Sequence, residues 1–298
     1  MNLKGKNIIS SDKLSAEDYK EVFKIAQKIE EGEFKKNYSG KVLATIFSQP
    51  SVRTMLTAQA AITKIGGGYV NVLESMTKGE SFDELVETVS QFADAIMIRH
   101  PDEQAVIRAS EISSVPIIDA GSGVKEHVIS AFVYPYVIYR RLGKISDLEV
   151  LFYGQAKYSR CANSTAIALG KLGNTIYEDV AEGMEFPEFV RESVKESGTE
   201  IEKRKTEDVI SNIDVFCANE VESHRKMFEE GDYERVRKFY KPVGSELIDK
   251  MKKESILFAP VPVSWEFAPE TFKHPKSAYF DATKYGFYVQ AAILASVL

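Results

Sequence analysis

The chain has 298 residues, 44% hydrophobic and 28% charged, enough apolar material for two cores of about 150 residues each and too much for a disordered or low-complexity protein. Thirty-eight Lys and Arg against 44 Asp and Glu leave a formal charge of −6, no basic patch stands out, and no apolar run approaches the roughly 18 residues of a membrane span, so neither nucleic acid nor a membrane is an expected partner. Cys161 and Cys217 are too few for a disulfide framework, and residues 1–15 lack the apolar stretch of a secretory signal; both point to the cytoplasm.

Short apolar, often β-branched runs alternate with amphipathic stretches, the pattern of βαβ units around parallel sheets, so the fold class is α/β. Residues 15–31 read as the first helix: Ser15 with Asp18 makes a capping box, and Tyr19, Val22, Phe23, Ile25 and Ala26 form its apolar stripe. Strands are predicted at 41–47, 69–73, 95–99 and 115–119, one doubly wound unit. A long amphipathic segment over 127–142 precedes Gly143 and Lys144, where the domain boundary is placed: 1–143, then 144–285. The second series has strands at 149–153, 175–177, 213–217 and 256–258 and a charged helix over 186–197. The last helix, 286–298, is apolar on most sides and is expected to pack back on the first domain. Gly66, Gly67 and Gly68, with the polar stretch 74–81, suit a mobile loop.

The most informative segment is 46–55. Its strand ends at Phe47, Pro50 forbids a smooth continuation, and Ser51 sits where the next helix would be capped. Free amides, two hydroxyls and Arg53 would converge at that helix N-terminus, a suitable phosphate site. Arg99 and His100 end the third strand, and Asp119 to Gly123 ends the fourth and leads to His127 at a helix start. Taken singly, each has a bland reading: a capped helix whose Arg faces water, a surface ion pair, a packed histidine. Placed together at successive strand ends of one sheet, they argue for a shared anion site.

The order of segments resembles the aspartate/ornithine carbamoyltransferase family, most closely its aspartate branch, over nearly the whole chain. Ser51-Val52-Arg53-Thr54 resembles the family's Ser-Thr-Arg-Thr loop, Lys78-Gly79-Glu80 its Lys-Gly-Glu, and Arg99-His100-Pro101 its Arg-His-Pro. Asp119-Ala120-Gly121-Ser122-Gly123 with His127 is similar to Asn-Ala-Gly-Asp-Gly followed by His-Pro-Thr-Gln. In the second half, Lys157-Tyr158-Ser159-Arg160 resembles Lys-Tyr-Gly-Arg, Pro260-Val261-Pro262 resembles Pro-Leu-Pro, and Tyr279, Phe280 and Gly286 match the C-terminal pattern. The resemblance implies a carbamoyl phosphate domain followed by an amine-acceptor domain. Ser51, Arg53, Thr54, Lys78 and Ser130 would line the carbamoyl phosphate site, and Thr54, Arg99 and His127 would stabilise the carbamoyl oxygen as the amine attacks. Arg160, Glu220, Glu222, Pro260 and Val261 would meet the acceptor. A homotrimer is implied, with the Lys78 loop reaching the neighbouring subunit's site. No metal or cofactor is implied, and the sequence has no HxxxH, CxxC or GxGxxG.

Several positions depart from the family. Val52 and Met55 remove a hydroxyl and a cation from the phosphate loop, Glu74 stands for a Ser, Ser130 for a Gln, Ala259 for a His and Val263 for an Arg. In the aspartate branch an Arg-x-Gln pair binds the acceptor's carboxylate; here it is Glu220-Val221-Glu222. The replacement of Arg by Glu changes the formal charge by two units, which argues against aspartate as acceptor, unless both acids merely face solvent. Two readings stay open: a transferase with a changed acceptor, and a catalytically inactive paralogue that binds a ligand or partners other chains.

Overall fold

The computed structural model describes residues 2–49, 51–72, 79–260 and 262–298, with the backbone alone at 223–225. Helix α1 (Ala16–Glu30) begins as predicted: the Ser15 hydroxyl accepts from the Asp18 amide at 3.2 Å and the Asp18 carboxylate accepts from the Ser15 amide at 2.9 Å. Then follow β1 (Val42–Phe47), α2 (Val52–Lys64), β2 (Gly68–Val72), α3 (Phe82–Ser90), β3 (Ala95–Arg99), α4 (Gln104–Ile112), β4 (Ile117–Asp119) and α5 (Val128–Leu142). The strands form a parallel sheet in the order β2-β1-β3-β4. β1, β3 and β4 are near-continuous apolar runs because helices cover both faces. Their side chains Ala44, Ile46, Ile96, Ile98 and Ile117 pack with Val86 and Val89 of α3 and Val106 and Ala109 of α4.

The glycine triplet is a turn and a strand start, which leaves it little freedom. The Gly66 and Gly67 amides donate back to Thr63 and Ile62, closing α2, and Gly68 opens β2. Gly66 has a φ of +96°, where a Cβ would lie 2.0 Å from the Asn37 amide oxygen. Residues 74–78 of the expected loop, and Leu73 at the end of the strand predicted before it, lie outside the described residues.

The second sheet is also parallel. Around it run β5 (Glu149–Gly154), α6 (Arg160–Lys171), β6 (Thr175–Val180), α7 (Glu188–Glu196), β7 (Ile201–Lys203), α8 (Thr206–Val209), β8 (Val215–Ala218), α9 (Asp232–Phe239), α10 (Ser245–Ile248) and β9 (Ile256–Phe258), and the chain ends in α11 (Asp281–Val297). Strand order is β7-β6-β5-β8-β9. The short edge strand β7 escapes sequence reading because Glu202 and Lys203 are exposed, the usual guard of a sheet edge.

The chain divides into two compact units, residues 1–133 with 283–298, and residues 134–282. The divisions fall inside α5, close to its interior Pro135, and inside α11, whereas the sequence reading places them at 143 and 286. Helix α11 starts at Asp281, earlier than predicted, and its residues 289–297 are buried. The Gly5 amide donates to the Val297 carbonyl at 2.9 Å and the Tyr38 hydroxyl to the Ala295 carbonyl at 2.5 Å, so the C-terminal helix closes the first unit, as expected. Among the described residues no helix is long and apolar enough to cross a membrane.

Ile98, fully buried in β3, tests the first core. Ile98→Ala is expected to cost about 2–5 kcal/mol, read as a lower urea midpoint at unchanged slope.

Candidate functional site

In each sheet the winding direction reverses once: between β1 and β3, and between β5 and β8. Loops leaving neighbouring strands there diverge to opposite faces and open a crevice at the carboxyl ends.

At the first crevice Phe47 pairs with Arg99, and the Ser48 amide donates to the Arg99 carbonyl at 2.9 Å. The chain then turns into α2. Ser51 occupies the N-cap position, but its hydroxyl makes no capping bond, so α2 presents its N-terminus without a side-chain cap. Arg53 and Thr54 lie in its first turn, Arg53 exposed and Thr54 half-buried. Arg99 reaches sideways, its Nη1 donating to the Ala120 carbonyl at 3.0 Å. His127 is buried just before α5, its carbonyl accepting from the Ser130 amide at 2.8 Å, and Ser130 is buried in the first turn. Asp119 holds the intervening loop through the Gly121 amide and the Ser122 hydroxyl. Glu126 is anchored by the Ser10 hydroxyl and the Ser11 amide, each at 2.8 Å. The fold thus gathers Arg99, His127 and Ser130 around one loop, beside the strand that feeds Ser51, Arg53 and Thr54. Lys78 and Glu74 lie outside the described residues.

At the second crevice Ser159 caps α6, accepting from the Ala162 amide at 3.2 Å, and Arg160 is buried as the helix's first residue. From β8 comes Asn219, whose amide donates to the Tyr153 carbonyl, and then Glu220. Glu220 does not face solvent: it is 2% exposed, and the Ser159 hydroxyl lies 3.2 and 3.1 Å from its two carboxyl oxygens. Burial pushes its carboxyl up to about 8, with Glu266 adding to the rise and Ser159 and Arg160 opposing it. At neutral pH Glu220 is therefore mostly uncharged, and the replacement of Arg removes one unit of charge rather than two. Glu222 is also engaged, its Oε2 accepting from the Tyr233 hydroxyl at 2.6 Å and from the Trp265 Nε1 at 3.1 Å. The solvent-facing alternative is overturned for Glu220, while Glu222 is half-buried with both bonds on one oxygen. Pro260 is buried after β9, and Val261 lies outside the described residues.

Sequence reading missed two residues of this crevice. Ser159 holds Glu220, and the signal was available: a Ser stands where the resembling motif has Gly. Glu266 gave no signal. It is fully buried, taking the Val221 and Glu222 amides at 2.7 and 2.9 Å on one oxygen and the Ser264 amide and hydroxyl at 2.7 and 3.2 Å on the other. It ties the loop after β8 to the loop after β9. Lys157 and Tyr158 turn away to Asp232, at 3.3 and 2.7 Å. Gly154, at φ +100°, leaves room for the Tyr240 ring, which a Cβ there would meet at 2.1 Å. Tyr240 in turn stands edge-on to Trp265, 5.2 Å between centroids.

Because the folded Glu220 keeps its proton to about pH 8 and the unfolded one loses it near the ordinary glutamate value of 4.5, its contribution to stability falls as pH rises between those values. Glu220→Gln is expected to melt close to wild type near about pH 5 and above it near about pH 8.5, by a few kcal/mol at most, in thermal unfolding followed across that range.

Residues 6–140 match the aspartate/ornithine carbamoyltransferase carbamoyl-P binding domain, and residues 146–297 match the Asp/Orn binding domain of the same family. The chain is 33% identical over 267 residues to the aspartate carbamoyltransferase catalytic subunit of Methanopyrus kandleri, covering 87% of this chain and 85% of that one. It is 32% identical over 307 residues to the catalytic subunit of Thermococcus onnurineus, covering 100% and 98%. Its fold superposes on aspartate transcarbamoylase from Trypanosoma cruzi in complex with carbamoyl phosphate and aspartate with a TM-score of 0.91, at 25% identity over 100% of this chain and 98% of that one. Matched along both of its halves, the chain belongs to the aspartate/ornithine carbamoyltransferase family.

Proposed function

We propose that this protein transfers the carbamoyl group of carbamoyl phosphate to an amine of an amino acid-like acceptor other than aspartate. In this reading Ser51, Arg53, Thr54 and Lys78 hold the phosphate, at the uncapped N-terminus of α2. Arg99, His127 and Thr54 donate to the carbamoyl oxygen, and Ser130 lies against the carbamoyl group. The amine nitrogen attacks the carbonyl carbon, negative charge gathers on the oxygen facing those donors, and the C–O bond breaks as phosphate departs, taking up the proton that the nitrogen gives up.

The observation that carries the changed acceptor is the Ser159–Glu220 pair. Relative to the resembling motifs, Ser replaces Gly and Glu replaces Arg, on loops from different strands, and the two new side chains are hydrogen-bonded to each other in a buried place. Decay of an unused site leaves replacements without partners; here they complement each other. An aspartate side-chain carboxylate would lose the cation that the family supplies, an attraction of about 4 kcal/mol at 4 Å for an effective dielectric of 20, and would approach Glu222 as well. Arg160 remains for the acceptor's other carboxylate, with Glu220, Glu222, Pro260 and Val261 around the rest.

The replacements at Val52, Met55, Glu74, Ser130, Ala259 and Val263 favour a second reading, an inactive paralogue that binds a ligand or a partner subunit. A homotrimer is part of the first reading. Val52 and Leu56 on α2 and Tyr69 and Val70 on the edge strand β2 are apolar and exposed, a surface suited to a second copy. A cytoplasmic location fits Cys161 and Cys217, neither of which is in a disulfide.

Titration calorimetry with carbamoyl phosphate is expected to give a Kd between about 1 μM and about 1 mM, and Arg53→Ala is expected to lose measurable binding. With carbamoyl phosphate present, an amine panel is expected to yield carbamoylated product from at least one amino acid and none from aspartate; turnover of aspartate overturns the changed acceptor. Carbamoyl phosphate binding without turnover of any amine selects the second reading. Light scattering is expected to give three times the 33.4 kDa chain mass.

A further inference from the structure

The loop that offers Ala120 to Arg99 is held at Glu126 by Ser10 and Ser11, at Gly123 by the His100 carbonyl, and at both of its ends by one carboxyl. Asp119, 2% exposed at the end of β4, accepts from the Gly121 amide at 3.1 Å and the Ser122 hydroxyl at 2.7 Å on one oxygen, and from the Val128 amide at 3.4 Å on the other. Its backbone is pinned too: it pairs with Ile98 of β3, and its amide donates to the Ile8 carbonyl at 2.9 Å. One carboxyl therefore ties both ends of the segment 120–128. The first carbonyl of that segment receives the Arg99 guanidinium, and its last residues are His127 and the start of α5.

In the motif that this loop resembles, an Asn stands at this position. An amide has nearly the same reach but carries no charge and presents a donor on one side. The acid here can ionise. The ionisable side chains on the elements packed about it are Lys125, Glu126 and His127 of the loop, Arg99 and His100 at the end of β3, and Glu103 before α4, which packs against Gly123; of these, Glu126 acts on Asp119. The N-terminal segment 7–11 and the first turn of α5 bring no ionisable side chain. Burial, with Glu126 nearby, pushes the Asp119 carboxyl up to about 7 against the Ser122, Val128 and Gly121 bonds that favour its charged form.

We propose that Asp119 is a positioning residue of the anion site that acts through Arg99 and His127, and that its ionisation opposes binding of a phosphate dianion, so that anion binding and protonation of Asp119 are linked. This rests on the carbamoyl phosphate reading above. The direction follows from charge: a dianion at the end of β1, with only β3 between it and Asp119, raises the cost of a second buried negative charge, so binding draws a proton onto Asp119, and affinity falls as pH rises through neutrality. An Asn at 119 removes that coupling while keeping most of the loop's hydrogen bonds.

The test is calorimetric titration of carbamoyl phosphate into the full chain near about pH 6, 7 and 8, at pH 7 in two buffers of different ionisation heat. Wild type is expected to lose about tenfold in affinity from the lowest to the highest pH and to take up protons on binding. Asp119→Asn is expected to lose most of that pH dependence and to bind more tightly than wild type at the highest pH. A purely structural role predicts the opposite, weaker binding at every pH, and that result in a cooperatively melting variant overturns the proposal, as does an unchanged pH slope. Should the variant not fold, wild type decides: binding with no proton uptake overturns the proposal, and uptake supports it. Absence of binding by wild type at any pH overturns the carbamoyl phosphate reading and this inference with it, a result distinct from binding that ignores pH.

Discussion

Parallel strands cannot be joined by a tight turn, because each new strand must begin at the edge where the last one began. Every strand pairing named in both sheets is parallel, so each βα connection leaves its sheet at the same edge and each return helix covers a face. Apolar residues then fill the strands, and polar residues collect where the strands end. Ser51, Arg53 and Thr54, Arg99, and the Asp119–His127 loop occur together for this reason, and so do Ser159, Arg160 and Glu220. Where the winding reverses, the loops separate and leave the room that a small ligand needs.

Among the buried acids, two kinds stand apart. Glu266 is surrounded by amide and hydroxyl donors from two loops, and Glu178 is bound by Arg191 and the Phe186 amide; both knit segments that would otherwise drift apart. Asp119 and Glu220 lie at strand ends next to the reversals, and burial lifts them to about 7 and about 8. Their charge near neutrality depends on what stands beside them. Carboxyls of this second kind lose stability as pH rises between their unfolded and folded values, the property that marks them as candidates for a functional role.

The periodic parts of the fold were readable from the sequence because they rest on local rules. The capping box of Ser15 and Asp18, the apolar strands and the buried last helix all follow from spacing. β7 was not, since three residues with two exposed charges carry no period. At the candidate site, motif order marked the strand ends, but a motif says nothing of burial. Glu220 looked like a possible solvent-facing acid because its cover comes from segments distant in sequence, among them Ser159, and the same distance hid Glu266. Ser51 shows the converse: its position as a cap was evident, while the absence of the capping bond depends on a side-chain orientation that no pattern encodes.

The single tryptophan of the chain is Trp265, and it donates to Glu222, stands edge-on to Tyr240 and lies under the guanidinium of Arg237, 3.8 Å from the ring. All of these contacts belong to the second unit. Indole emission from this protein therefore arises at one address, next to the acids that replace the family's acceptor-binding pair. The molecule carries a native optical label there, and changes in its colour or intensity report the second crevice without interference from the first.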